Sequence, residues 1–284
     1  MAQQLQRSRT KQTGYYTTNE MQTSKTEIPA CDYAIIAGMG KADLHIHSEW
    51  SDGLPSIREI LEHVEHHTDL DLIAITDHDM IEGAFEAREL IAQRNFRFDV
   101  LVGMEVTTLE GHLLAYDLGK PLRMMKPLDW TIQAIRDQGG WCLLPHPMSP
   151  LIRSVGRHGI RRIMRDTRTG ICFDGIEVIN PSIAGKVIAG KVQLFNRDEA
   201  RLPETGGSDS HTLPLIGSAY TSFPGRTAED FRRGLAARST TAGGTFWGNT
   251  EYRELAKIAR RQMYKSMLQL PARHIRRSIE RRMQ

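Results

Sequence analysis

The sequence predicts an α/β protein whose parallel strands close into a barrel. Three observations predict it. Apolar, strand-like runs alternate with helix-like runs through about seven units. No glycine-rich phosphate loop follows the first strand, as an open nucleotide-binding sheet would carry. Histidines and aspartates recur at the ends of strand-like runs, which is how a βα-barrel gathers a site from many strands.

The elements follow in order. Ala42 to His47 reads as a strand and Ile57 to Val64 as an amphipathic helix. Leu72 to Thr76 is a continuous apolar run of the kind buried parallel strands show. Ala84 to Gln93 is helical, and Val100 to Glu105 and His112 to Tyr116 are strands. The helix Leu128 to Asp137 stops at Gly139-Gly140, and the strand Trp141 to Leu144 is closed by Pro145-His146-Pro147. A short helix, Ile160 to Arg165, precedes the strand Gly175 to Ile179 and the helix Ala184 to Arg197. Strand-like Thr205 to Asp209, the strand Ser218 to Ser222 and the helix Ala228 to Ala237 complete the domain.

With 284 residues, 40% apolar and 25% charged, the chain can bury the core of one large or two small domains. The net charge of +3 is too small to argue for a nucleic-acid partner, but it is unevenly placed. From Glu251 to Gln284 there are 10 Lys or Arg against 3 Glu. Residues 1–30 are rich in Gln, Thr and Ser without hydrophobic period and read as a disordered tail, with order expected near Tyr33. The organisation expected is therefore a tail (1–30), a barrel domain (33–248) and a basic helical extension (249–284). The extension reads as a solvated helix on the domain, as a basic amphipathic helix for an anionic membrane, or as an RNA contact. Cys31, Cys142 and Cys172 form no CxxC pair, so reduced thiols are expected. No apolar run approaches the ~18 residues of a membrane span. No signal-peptide core is seen either, and a cytoplasmic location is the default expectation.

The chemistry is carried by short motifs. Asp43-Leu44-His45-Ile46-His47 places two imidazoles on one face of a strand, where they can hold one metal ion. Ser51-Asp52-Gly53, Thr76-Asp77-His78-Asp79, Gly103-Met104-Glu105, Gly111-His112, His146-Pro147 and Ser208-Asp209-Ser210-His211 follow. Each alone has an ordinary structural explanation, such as a capped helix, a rigid turn or a core histidine. Together, at the same end of one sheet, they do not. His63, His66 and His67, by contrast, lie on a helix and read as a solvated face. Asp77 and Asp79 are expected either to orient ligand imidazoles or to cap the following helix.

In these motifs the chain resembles the PHP family, named for polymerase and histidinol phosphatase, over roughly Lys41 to Gly244. The resemblance implies a distorted (β/α)7 barrel with a metal site at the carboxyl ends of its strands. It implies two or three divalent ions (Mn, Fe or Zn, with Mg also suitable). One would take His45, His47, Glu105 and Asp209. A second would take Glu105 as bridge with His112 and His146, and a third Asp52, His78 and His211. Many relatives carry His where this chain has Asp52, which makes the third site more oxygen-rich and favours Mn, Fe or Mg there. The activity implied is hydrolysis of a phosphomonoester of a small molecule, or of a short oligonucleotide, by a metal-activated hydroxide. Asp52, His78 and Arg153 are the candidate catalytic residues, Arg153 as a grip on substrate phosphate. Asn180 is expected to face the mouth. The alternatives are a metal-dependent amide hydrolase, which usually bridges its metals with a modified Lys, and a non-catalytic binding module with a working basic tail.

Overall fold

The computed structural model describes residues 38–248 and Tyr252. The expected N-terminal tail, the onset of order near Tyr33, Cys31 and the basic extension lie outside the described residues, except for Tyr252, which is helical.

The expected periodicities become elements in the expected order. β1 (Met39–Ile46), α1 (Ile57–His67), β2 (Leu72–Ile75), α2 (Glu82–Gln93), β3 (Asp99–Thr107) and β4 (His112–Tyr116) form the first half. The second half is α3 (Leu128–Arg136), β5 (Trp141–Leu144), α4 (Arg157–Met164), β6 (Gly175–Ile179), α5 (Ile183–Phe195), β7 (Glu204–Gly206), β8 (Ala219–Pro224), α6 (Ala228–Ala236) and β9 (Thr241–Gly244). Local chemistry sets the helix starts. Ser56 and Glu59 form a reciprocal capping box on α1, and Thr227 and Asp230 form one on α6.

The strands make one sheet in the order β7-β6-β5-β4-β3-β2-β1-β8-β9. Its ends meet: Gly206 N–H donates to Thr221 Oγ1 (3.0 Å), and Thr240 Oγ1 donates to the Glu204 carbonyl (2.9 Å). The result is an α/β fold with a nearly closed, barrel-shaped sheet. It is not all parallel, which corrects the sequence expectation. β4 runs antiparallel to both β3 and β5, and β8 is antiparallel to β1 and β9. The β3–β4 connection, residues 108–111, is far too short for the dozen or so residues of a parallel crossover. It closes as a turn, with Thr108 N–H donating to the Gly111 carbonyl (2.9 Å) and Gly111 at φ +148°. β9 was not anticipated, because Thr241-Ala242-Gly243-Gly244 has neither alternation nor bulk; pairing with β8 makes it a strand.

Strand alternation builds two apolar layers. Ala42, Leu72, Ala74, Leu101, Leu114, Tyr116 and Leu143 pack inside with Phe223 and with Phe231 and Leu235 of α6. Ile73, Ile75, Val102, Met104 and Ile176 pack outward among buried side chains of α1–α4. α6 closes the amino end of the barrel: Ala228 N–H donates to Asp99 Oδ2 (2.8 Å), and the Arg232 guanidinium lies 5.1 Å from the Trp141 ring. The carboxyl end stays open for the candidate site.

Asp43 ties β1 to the segments that follow β7 and precede β8. Its carboxylate accepts the N–H groups of Ser208 (3.0 Å), Gly217 (2.8 Å) and His45 (3.3 Å). Burial pushes its pKa up to about 6, against the lowering effect of those bonds. An acid with a raised folded-state pKa stabilises most below its unfolded value, and stability falls as pH rises from about 4 to about 6. Asp43→Ala is expected to cost about 2–4 kcal/mol by stranding buried donors. The cost should be larger at pH 4 than at pH 7, as urea denaturation of the two proteins at both pH values would show.

Candidate metal centre

β1 carries a break in phase. Leu44 packs with the inner layer and Ile46 with the outer one, and the register with β2 shifts between Asp43 and Ile46. This bulge turns His45 and His47 toward the interior, where both are fully buried. Asp77 then fixes the loop that follows. Its carboxylate accepts from Ser48 N–H (2.7 Å), Ser48 Oγ (2.6 Å) and Ser51 Oγ (2.6 Å). Asp79 accepts from Thr107 N–H at 2.7 Å. Neither aspartate touches a ligand imidazole in these bonds or caps α2, whose N-cap position is Ile81. Both brace loops: the capping expectation is corrected for the pair and the imidazole expectation for Asp77, while Asp79 acts on the His112 imidazole through its charge alone.

The antiparallel β4 explains how His112 joins. Its first residue sits at the carboxyl end of β3, paired with Thr107. His146 and Asp209 hold left-handed backbone, at φ 28° and 52°, a strained choice for non-glycine residues that aims their side chains inward.

Glu105 is the hub and is fully buried. Its Oε2 lies 3.2 Å from His45 Nε2, His47 Nε2 and His78 Nδ1. Its Oε1 lies 2.9 Å from His112 Nδ1 and 3.1 Å from His146 Nε2. Asp209 Oδ1 stands 3.5 Å from His45 Nε2 and 3.3 Å from His47 Nε2, while Asn180 Nδ2 reaches Asp209 Oδ2 at 3.4 Å. Asp52 stands 3.1 Å from His211 Nε2 and 3.9 Å from His78 Nε2.

Three groups of these atoms are tight enough to hold an ion: His45, His47, Glu105 and Asp209; His78, Glu105 and His112; and His47, Asp52, His78 and His211. The first is the set expected. In the others His78 stands between Glu105 and Asp52, and His47 reaches the third group. The second group holds His78 where His146 was expected; His146 lies 3.1 Å from Glu105 Oε1 but belongs to none of the three groups. Asn180 does face the cluster. Arg153 does not join it: its guanidinium donates to the Thr108 carbonyl (2.8 Å) on the β3–β4 turn and is exposed. His63 and His67 pair with each other on α1, with ring centroids 5.1 Å apart, away from the centre.

The donor set fits divalent cations. His47 Nε2 and His112 Nδ1 lie close to carboxylates yet lack any aligned hydrogen bond, as do His47 Nδ1 and His146 Nδ1. Imidazole nitrogens and carboxylate oxygens that converge without aligned hydrogen bonds between them suit a shared cation. The electrostatics agree. Burial would lower His47, but Asp209 and Glu105 push it up to about 10. Burial is likewise outweighed at His45 by Glu177, Asp209 and Glu105, which hold it well above its ordinary value. Burial would raise Glu105 and Asp209; nearby imidazoles, His112 and His78 for Glu105 and His45 for Asp209, hold both well below the usual carboxylate range. Carboxylates packed this densely attract positive charge, either protons or metal.

Glu177 was missed by sequence reasoning. Its Oε1 lies 2.9 Å from His45 Nδ1, and its Oε2 accepts from His146 N–H at 2.9 Å. The only signal for it was an acid inside an apolar strand.

A nearly closed α/β barrel gathers His, Asp and Glu side chains at its carboxyl mouth in groups that could hold metal ions. The comparisons narrow this. Residues 43–162 match the family described as PHP domain, and residues 195–240 match the one described as PHP-associated. An uncharacterized protein of Methanocaldococcus jannaschii is 32% identical over 151 residues, covering 49% of this chain and 81% of that one. The chain belongs to the PHP family. Its fold is similar to a two-domain protein of Bacteroides vulgatus containing a predicted PHP-like metal-dependent phosphoesterase, with TM-score 0.56, 21% identity, and coverage of 74% of this chain and 66% of that one. It is also similar to an amidohydrolase of Chromobacterium violaceum with bound sulfate, with TM-score 0.51, 20% identity, and coverage of 70% and 97%.

Proposed function

We propose that this protein is a metal-dependent phosphoesterase that hydrolyses a phosphomonoester of a small molecule or a short oligonucleotide. The observation that carries the reading is Glu105, whose two oxygens face two different sets of imidazoles in the mouth of the barrel. Divalent ions bound there would neutralise charge on a phosphoryl group and lower the pKa of water. In this reading His45, His47, Glu105 and Asp209 hold one ion, Glu105 with His112 and His146 a second, and Asp52, His78 and His211 a third. Mn, Fe, Zn or Mg suit these donors, with Asp52 favouring the harder ions at the third position. Asp52 and His78 stand at the more open side of the cluster, at 22% and 28% side-chain exposure, where a leaving oxygen would depart. Arg153 grips substrate phosphate by swinging from Thr108.

The amide-hydrolase reading is less well supported. The position between the two sets of imidazoles is held by Glu105, where such hydrolases usually carry a modified Lys. A panel of phosphorylated metabolites, short oligonucleotides and amides, assayed with Mn²⁺ added, tests the choice. Phosphate release from at least one phosphoester is expected, abolished by chelator and reduced at least about 100-fold by His45→Ala. Unchanged activity in His45→Ala would sink the site assignment.

Among the described residues no helix is long and apolar enough to cross a membrane. A cytoplasmic setting, and contact of the basic 251–284 segment with an anionic membrane or RNA, belong to the same proposal. Deleting 251–284 should abolish binding to anionic vesicles or RNA while leaving phosphoester turnover in place.

A further inference from the structure

We propose that Glu177 is a positioning residue that sets two imidazoles of the centre at once, fixing the ring of His45 through Nδ1 and the backbone of His146 through its N–H. The proposal rests on the metal reading above.

Glu177 lies inside β6 and is 3% exposed. A carboxylate only accepts hydrogen bonds. Its Oε1, 2.9 Å from His45 Nδ1, therefore holds the proton on that nitrogen. The Nε2 lone pair is left facing Glu105 Oε2 (3.2 Å) and Asp209 Oδ1 (3.5 Å), where the first group of donors converges. The other oxygen, 2.9 Å from His146 N, holds His146 at φ 28°, and His146 Nε2 then lies 3.1 Å from Glu105 Oε1. One side chain thus links donors on both oxygens of Glu105. Gly207 leaves the room it occupies: a Cβ there would overlap Glu177 Oε1.

Glu177→Gln keeps the shape and breaks the logic. If the amide oxygen accepts from His146 N–H, the NH₂ faces His45 Nδ1 and drives the proton to Nε2, the wrong tautomer for binding a cation. If the amide turns over, its NH₂ confronts the His146 N–H.

The test uses the full chain stripped of metal, with Co²⁺ as probe and circular dichroism to confirm folding. Glu177→Gln should bind Co²⁺ about 10–100-fold more weakly than the parent, with altered visible absorption bands. Glu177→Asp, which keeps an acceptor-only group, should recover part of the loss. In the Zn²⁺-loaded parent, long-range ¹⁵N–¹H spectra should place the His45 proton on Nδ1. That measurement needs no variant, so it decides the matter even if Glu177→Gln does not fold. Parent-like Co²⁺ affinity and spectrum in Glu177→Gln, no recovery in Glu177→Asp, or a His45 proton on Nε2 would each overturn the proposal. A parent that binds neither metal would overturn the metal reading and this proposal with it.

Discussion

Glu105→Gln is expected to strip the protein of most of its metal and to lower phosphoester turnover by at least about 10³-fold, a loss of about 4 kcal/mol in transition-state stabilisation. The side chain is fully buried, and its oxygens approach five imidazoles: His45, His47 and His78 on one side, His112 and His146 on the other. An amide has one acceptor oxygen and no charge. It can serve one side only, and its NH₂ points donors at nitrogens whose lone pairs are needed. Both sides should therefore fail together. Metal analysis of the purified protein, alongside turnover in Mn²⁺, checks this. Parent-like metal content with turnover within about tenfold of the parent would remove Glu105 from the bridging role.

Gly207→Ala is expected to be nearly as damaging, though no functional atom is removed. Gly207 follows β7, and its N–H donates to the Ile179 carbonyl at 3.2 Å. A methyl group there would overlap Glu177 Oε1 and come 2.8 Å from His45 Cβ. The demand is for space between strands. The neighbours are a buried carboxylate and a buried imidazole in mutual contact, so neither can yield without losing the 2.9 Å bond between them. Overpacking of this kind costs about 1–3 kcal/mol. A displacement near 1 Å at the site lowers activity by about 100-fold. Urea denaturation of the metal-free protein and Co²⁺ titration should both register it. A variant as stable as the parent and with the same affinity would mean that β6 and β7 part more easily than their packing implies.

Much of this centre was legible before any fold was known. His45-x-His47, His78, Glu105, His112, His146 and Asp209-x-His211 stand out because few residue types bind metal and because they recur at or beside the ends of apolar runs. Helix and strand positions were equally legible, since burial imposes periods of 3.6 and 2 on the sequence. β4 is legible as a strand, but alternation with helices suggests a parallel direction, whereas its short connection from β3 requires a hairpin. Asp77, which from sequence alone reads as a cap or an imidazole partner, instead holds Ser48 and Ser51. Glu177 escaped notice because an acid in a strand gives no hint of a partner 132 positions away.

The sequence by itself determined the kinds of ligand, their order, the ends of the elements that carry them and the family they mark. These are local properties, written in residue type and period. Only the tertiary structure decided that the His45-x-His47 pair turns inward, through the bulge in β1, and which oxygen of Glu105 each imidazole meets. It alone decided that Glu177 supports two imidazoles while Arg153 rests on Thr108. Those outcomes depend on strand register and backbone phase, which are set by packing between segments far apart in the chain and leave no trace in any one of them.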